Sequence, residues 1–450
     1  MSLSEPLTYL MLRLCFIAFA FSLTTALAQQ VSAVSAPESI TLEQAIARAR
    51  ANEPNFAAAV AARGVSSLDR SIARAALLPN VSYHNQVLYT QPNGATNGSG
   101  PLGSQAAPKF IANNAVREYA SQGVVSETLG LQQVTAVSRA AAADAVAAAE
   151  LEIARRGLVS AVTGLFYQAL AADRKVAVAR RAAGEAAGFT NLAQQRESAR
   201  EGAHADVVKG QLQQQQRDRD LADALLEAQK SHLDLAVLLF PDPRTAYTLA
   251  PGPIAPLPDR ADVDEAAMRL NPELHQALAS LRVSTLDVTA ARAAYFPDLG
   301  LNFTYGIDAV QFAVNGREGV RNLGYSAGAT LDIPIWDWLS TQHRVRQSEI
   351  LRNAAQTTLT ATQRRLIAQL DEFYAEASTA RDQLQSLEQS VQTAAESLRL
   401  TRLRYTAGES TALEVVDAQN SFTAAEIARE DGSIRYQMAL TNLQLLTGAI

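Results

Sequence analysis

Two hydrophobic periods alternate along this chain. From Leu299 the apolar positions are Leu299, Leu301, Phe303, Tyr305 and Ile307, separated by Gly300, Asn302, Thr304, Gly306 and Asp308. The return stretch repeats the pattern, with Leu323, Tyr325, Ala327, Ala329, Leu331 and Ile333 against Asn322, Gly324, Ser326, Gly328, Thr330 and Asp332. A period of two sends successive side chains to opposite faces of a strand, so the segment 297–335 predicts a β-hairpin. Earlier, Val81, Tyr83, Val87 and Tyr89 alternate with Ser82, His84, Gln86 and Thr90. A less regular return lies within 115–129, where Arg117 and Glu118 adjoin, and a second hairpin is predicted over 80–129. Alternation over about ten positions fits strands that cross a membrane, apolar toward lipid and small or polar toward a lumen. A soluble antiparallel sheet packed on a helix alternates in the same way. The strands alone leave both readings open.

Elsewhere the period is helical. Neither proline nor glycine occurs from Trp338 to Tyr405, and small or apolar residues step by four and three: Leu366, Leu370, Phe373, Ala377, Ala380, Leu384, Leu387, Val391, Ala394, Leu398. That is a heptad seam, the pattern of coiled-coil packing. A helix of this run is on the order of 100 Å long, too long for a compact domain, so it must project as part of a rod or tube. The stretch from Gln132 to Arg200 behaves similarly, weakened by Gly157, Gly164, Gly184 and Gly188. Each half closes with a further helix, Asp206 to Leu239 and Leu413 to Leu446.

The chain is written twice. Val65-Ser66-Ser67-Leu68-Asp69 returns as Val283-Ser284-Thr285-Leu286-Asp287, Ala73-Arg74-Ala75-Ala76 as Ala291-Arg292-Ala293-Ala294, and Pro54 as Pro272, all at one offset. Constant spacing marks two homologous halves. The expected division is a first repeat over 29–248, a proline-rich linker over 249–260, and a second repeat over 261–450.

The first 28 residues read as a secretory signal peptide: Arg13, an apolar run from Leu14 to Leu23, and an Ala26-Leu27-Ala28 ending. The run is too short to span a bilayer, for which about 20 residues are needed. Cys15 lies inside it and is the one cysteine of the chain, which excludes disulfide frameworks and cysteine-built metal sites. Hydrophobic residues make up 48% and the net charge is −6, which argues against both disorder and a nucleic-acid surface. With no long apolar helix in the exported part, any membrane span must be made of strands. Four strands cannot close a water-filled barrel, and lipid does not tolerate open sheet edges, so membrane strands would have to be pooled between chains.

These features together resemble the TolC family of outer membrane efflux proteins. The resemblance rests on the repeat, the signal peptide, the helix–hairpin–helix order, Leu331-Asp332-Ile333-Pro334-Ile335-Trp336-Asp337, and Arg404-Tyr405-Thr406-Ala407-Gly408 followed by Leu413-Glu414-Val415-Val416-Asp417-Ala418. It implies a mainly α fold with membrane β: a homotrimer whose twelve-stranded barrel in the outer membrane of a Gram-negative cell continues as a long α-helical barrel through the periplasm. It further implies a passive exit duct that works with a periplasmic adaptor protein and an inner-membrane transporter, in efflux or type I secretion. A periplasmic coiled-coil adaptor or scaffold without a pore is the alternative.

The resemblance also points to site residues at the periplasmic tips. Glu414 and Asp417 fall where the family carries a ring of acids, which would favour cations. On the residues alone they read first as an exposed helix start, where acids are favourable, and the resemblance reverses that preference. Asp206 and Tyr405 hold the positions of a hydrogen-bonded latch, while the latch's arginine, two residues after Gly408, is replaced by Ser410. Gly202 and Gly408 are expected to end their helices in a left-handed conformation. These tips, including His204, are expected to contact the adaptor. Trp336 and Trp338 suit interfacial anchors or ordinary packing at the hairpin base. Gly98-Ser99-Gly100-Pro101-Leu102-Gly103 matches a dinucleotide fingerprint but lacks a βαβ context and reads as a hairpin loop. The five histidines show no ligand spacing. No nucleophile–base motif is present, and no enzyme, metal or cofactor is expected.

Overall fold

The structure, a computed structural model, describes residues 38–90, 117–316 and 319–448. The signal peptide, Cys15 and the Gly98–Gly103 segment lie outside the described residues. The first half runs β1 (Glu38–Ile40), α1 (Leu42–Asn52), α2 (Pro54–Ala75), β2 (Asn80–Tyr89), β3 (Arg117–Leu129), α3 (Leu131–Ser198) and α4 (His204–Leu239). The second runs β4 (Tyr247–Leu249), α5 (Arg260–Leu270), α6 (Pro272–Ala293), β5 (Asp298–Ala309), β6 (Leu323–Asp332), α7 (Ser340–Ala407) and α8 (Ala412–Thr447). Corresponding helices have equal lengths of 11, 22, 68 and 36 residues.

Local chemistry sets the breaks. Thr41 and Gln44 form a reciprocal capping box at the start of α1. Glu53 then accepts from the backbone N–H groups of Asn55 and Phe56, and Asn271 does the same for Leu274, each just before a proline in the first turn. Between the halves, the proline-rich linker is tied down by Tyr436, which donates to the Ala255 carbonyl at 3.1 Å. The helices α3 and α7 each extend about 100 Å at 1.5 Å per residue. The four glycines of α3 do not interrupt it, and a Cβ built at any of them meets open space. Along α7, Leu366, Leu370, Ala377, Ala380, Val391 and Leu398 are buried, with the other seam positions half-buried.

Apolar cores form within each half. Ile40, Val159, Val162, Phe166, Leu235 and Leu239 are packed together in the first, and Leu366, Leu370, Ala377 and Leu443 in the second. Several ion pairs cross between the halves. Arg181 pairs with Glu426 at 3.0 Å, Arg174 with Glu430 at 3.0 Å, Lys175 with Asp431 at 2.7 Å and Arg402 with Glu185 at 3.1 Å. The helix α8 buries a polar stripe against this seam: Gln419, Thr423, Glu426, Glu430, Gln437 and Thr441.

One antiparallel sheet in the order β2-β3-β5-β6 joins the two hairpins. Its register gives two unlike faces. Val81, Val125, Phe303 and Ala327 share one row, and Tyr83, Gly123, Tyr305 and Tyr325 the next on the same face. The opposite face carries Ser82, Val124, Thr304 and Ser326, then His84, Gln122, Gly306 and Gly324. The apolar face lies open, with Tyr83 71% and Tyr325 77% exposed. Glu127, opposite Leu301, departs from this pattern near the base of the sheet. At the turn into α7, Trp338 (φ 56°) and Leu339 (φ 66°) are both left-handed, and the Asp337 carboxylate accepts the Thr341 N–H at 2.7 Å. The Trp336 and Trp338 rings meet edge-on at 5.9 Å and are exposed.

Gly306 sits where the two hairpins meet. A Cβ there would stand 2.2 Å from the Ser121 carbonyl oxygen and 2.6 Å from the Gln122 Cα, whereas its row partner Gly324 faces open space. Gly306→Val should therefore destabilise the sheet by about 1–3 kcal/mol while Gly324→Val does not, as read from denaturation midpoints in detergent. Equal midpoints for the two variants would refute the close approach.

Candidate functional site at the helical tips

Two turns lie side by side where α3 meets α4 and α7 meets α8. The second is closed as a glycine cap should be. Gly408 has φ 82°, and its N–H reaches the carbonyls of Arg404 and Tyr405. The first differs from expectation. Arg200, with φ 62°, is the left-handed residue of that turn, and Gly202 is not among the positive-φ residues. Glycine at 202 eases a close approach: the N–H groups of Glu201 and Gly202 both fold back onto the Arg196 carbonyl, and a Cβ at 202 would stand a tight 3.1 Å from the Arg196 Cβ.

Tyr405 is buried at the centre of the tips, 2% exposed, in a small apolar cluster with Phe189, Ala412, Val415 and Val416. Its hydroxyl donates to Asp206 Oδ2 at 3.3 Å, so the structure brings this pair together. Burial, and then the negative charge of Asp206, push the Tyr405 phenol above its ordinary value, which keeps it protonated as a donor at neutral pH. Phe189 packs against its ring at 5.2 Å. The Arg196 guanidinium lies 5.0 Å from the ring centroid and donates to the Tyr405 carbonyl.

Arg196 and Phe189 were not singled out in the sequence. Arg196 and Tyr405 are each the third residue from the end of a 68-residue helix, so aligning the repeats through their long helices would have paired them. Above the tyrosine, an open groove of about 830 Å³ is lined by Phe189, Leu192, Leu398, Arg402 and Phe422 among others.

Glu414 and Asp417 are exposed on α8, three residues apart and thus on one helical face. Within the chain Glu414 is a capping residue. Its carboxylate accepts from the Thr411 N–H at 3.2 Å and the Thr411 hydroxyl at 3.1 Å, and from Ser410 at 3.2 Å, with Arg404 at 3.6 Å. These partners, the Thr411 backbone first, hold Glu414 below its ordinary value of 4.5. The Asp417 carboxylate has no hydrogen-bond or ion-pair partner among the described residues. His204 is exposed and paired with Glu197 at 2.7 Å. Ser410, where the family's arginine would stand, donates to Glu414 instead.

The fold thus joins an exposed apolar strand face to helical hairpins of about 100 Å. Residues 265–449 match the family described as outer membrane efflux protein. The chain is 28% identical over 201 residues to the outer membrane protein OprJ of Pseudomonas aeruginosa, an alignment that covers 45% of this chain but only 40% of OprJ. It is 27% identical to the pyoverdine export outer membrane protein OpmQ of the same organism, over 92% of this chain and 85% of OpmQ. The outer membrane protein VceC of Vibrio cholerae has the same fold, with a TM-score of 0.77, 16% identity, and 90% and 96% of the two chains covered. The chain is thus similar to the outer membrane efflux proteins over residues 265–449, and it shares its fold with the outer membrane protein VceC.

The lowered Glu414 pKa makes the cap acid-sensitive. Its contribution is present above 4.5 and is lost as the pH falls through the lowered value. Thr411→Ala should bring the Glu414 titration back up toward 4.5, as followed by NMR of labelled glutamate carboxyls. A titration that the substitution leaves in place would mean that the Thr411 cap is not the cause.

Proposed function

We propose that this protein is an outer membrane channel, the passive exit duct of a tripartite efflux or type I secretion system. It takes substrates from an inner-membrane transporter, through a periplasmic adaptor, across the periplasm and outer membrane. The observation that carries this reading is the union of one sheet, open on its apolar face, with two helical hairpins of about 100 Å. A periplasmic scaffold has no use for an exposed row of Tyr83, Tyr305 and Tyr325.

The duct is a homotrimer in this reading, with a twelve-stranded barrel above an α-helical barrel. The duplication supports closure by further copies. Within the chain, α6 packs between α3 and α7 and buries Leu274, Ala277 and Val288. Its counterpart α2 rests on α3 and buries no residue, leaving Val65, Leu68 and Ile72 58%, 63% and 66% exposed. In a ring of copies, α2 would lie between its own α3 and the α7 of the next chain. Arg139 of α3 pairs with Asp287 of α6 at 2.5 Å, and Asp69 occupies the position of Asp287 in the repeat. Glu414 and Asp417, repeated around the ring, would form the cation-favouring mouth, and the tip turns would meet the adaptor.

Purified mature protein in a planar bilayer should give discrete, cation-selective openings. Glu414→Ala with Asp417→Ala should lower that selectivity; unchanged selectivity would remove both from the gate. A protein that stays soluble without detergent and never conducts would instead support the scaffold. Leu68→Arg with Ile72→Arg should abolish trimers in detergent by light scattering, and intact trimers would place the interface elsewhere.

A further inference from the structure

The family's latch arginine is missing at Ser410, yet the tip does contain an arginine, supplied by the other half of the chain. Arg196 uses both its backbone and its side chain. Its carbonyl closes the first turn by accepting from Glu201 at 2.8 Å and Gly202 at 3.1 Å. Its guanidinium donates to the Tyr405 carbonyl, reaches the Glu201 carbonyl at 3.5 Å, and lies over the Tyr405 ring at 5.0 Å. The Tyr405 carbonyl belongs to the last turn of α7, where it also accepts the Gly408 N–H and where the helix dipole is negative. A permanent cation is favoured there.

Magnitudes separate this contact from the tyrosine–aspartate bond. The Tyr405 hydroxyl stands 3.3 Å from Asp206, beyond the ordinary range for O–H···O bonds. Arg196 adds a charge-assisted hydrogen bond to the Tyr405 carbonyl and a cation–π contact with a ring buried from water. Resting on the channel reading above, we propose that Arg196 is the positioning residue that holds the end of α7 against the first-half hairpin and so sets the closed state. Asp206 serves to orient the ring beneath the guanidinium. The closing cation thus comes from α3, at the repeat-equivalent position of the tyrosine it holds.

Single-channel recording of the full mature trimer tests this. Arg196→Ala should raise open probability by about tenfold, the loss expected for a buried cation–π and charge-assisted contact together. Arg196→Lys keeps the charge without the planar fork and should fall between, which guards against a folding defect in the alanine variant. Tyr405→Leu should open the channel similarly, and the double variant should exceed neither single change by much, because both remove one contact. Wild-type gating in Arg196→Ala, or independent additive effects of the two substitutions, would overturn the inference while leaving the channel intact. Silence from every protein, the double variant included, would overturn the channel reading and this inference with it.

Discussion

The edges of the four-stranded sheet constrain everything else in this molecule. Among the described residues, the outer edges of β2 and β6 each present a row of backbone N–H and C=O groups with no strand partner, on a sheet whose apolar face is open. In hydrocarbon such groups have no water to turn to, and each unsatisfied one costs several kcal/mol. A membrane sheet of this kind therefore needs other chains to meet both edges. In the proposed ring, a neighbouring chain would also cover the apolar stripe that α2 leaves open while α6, its duplicate, is sandwiched. In that reading the first half carries the surface that the second half has already used.

The two halves are held together differently from the way each is held within itself. Inside a hairpin the partners are leucine, valine, phenylalanine and alanine, which have nowhere better to go than each other. Between α3 and α8 the partners are arginine, lysine and glutamate. Burial pushes Glu426 upward in pKa while Arg181 and Arg429 pull it down. Such pairs roughly balance desolvation against attraction, and water can replace either partner at modest cost once the seam opens. The seam between α3 and α8 thus combines these ion pairs with the apolar Tyr405 cluster at its end.

The sequence exposed those features whose physics is periodic. Alternation in β5 and β6 and the heptad steps of α7 are long enough to identify element and face together, and the repeat supplied the weaker first-half elements by analogy. The Thr411-to-Glu414 spacing of a capping box was also present to be read beside the helix-start reading of Glu414. What escaped was contact between distant segments. Arg196 stands 209 residues from Tyr405 and belongs to no local motif. The assignment of Gly202 failed for a related reason: a glycine after a helix suggests a left-handed cap, but tight folding onto the Arg196 carbonyl also favours one, and only the three-dimensional turn distinguishes them. The glycines of α3 weakened the pattern without ending the helix, since neighbouring helices can outweigh a weak local propensity.

The two tip turns are unequal in a way that bears on how such a seam would part. The turn between α7 and α8 is self-contained, with a left-handed glycine at one end and a reciprocal capping box at the other. The turn between α3 and α4 places Arg200 in the left-handed region, at about 1–2 kcal/mol for a residue with a Cβ. It then begins α4 without any side-chain cap, and Asp206 in that first turn spends its carboxylate on Tyr405 of the other half. The second-half turn therefore caps the start of α8 with its own residues, whereas the first-half turn, closed by the Arg196 carbonyl, leaves the start of α4 uncapped and commits Asp206 to the other half. If the hairpins separate, Asp206 and the Arg196 guanidinium are the groups of the first-half tip that lose their Tyr405 partner.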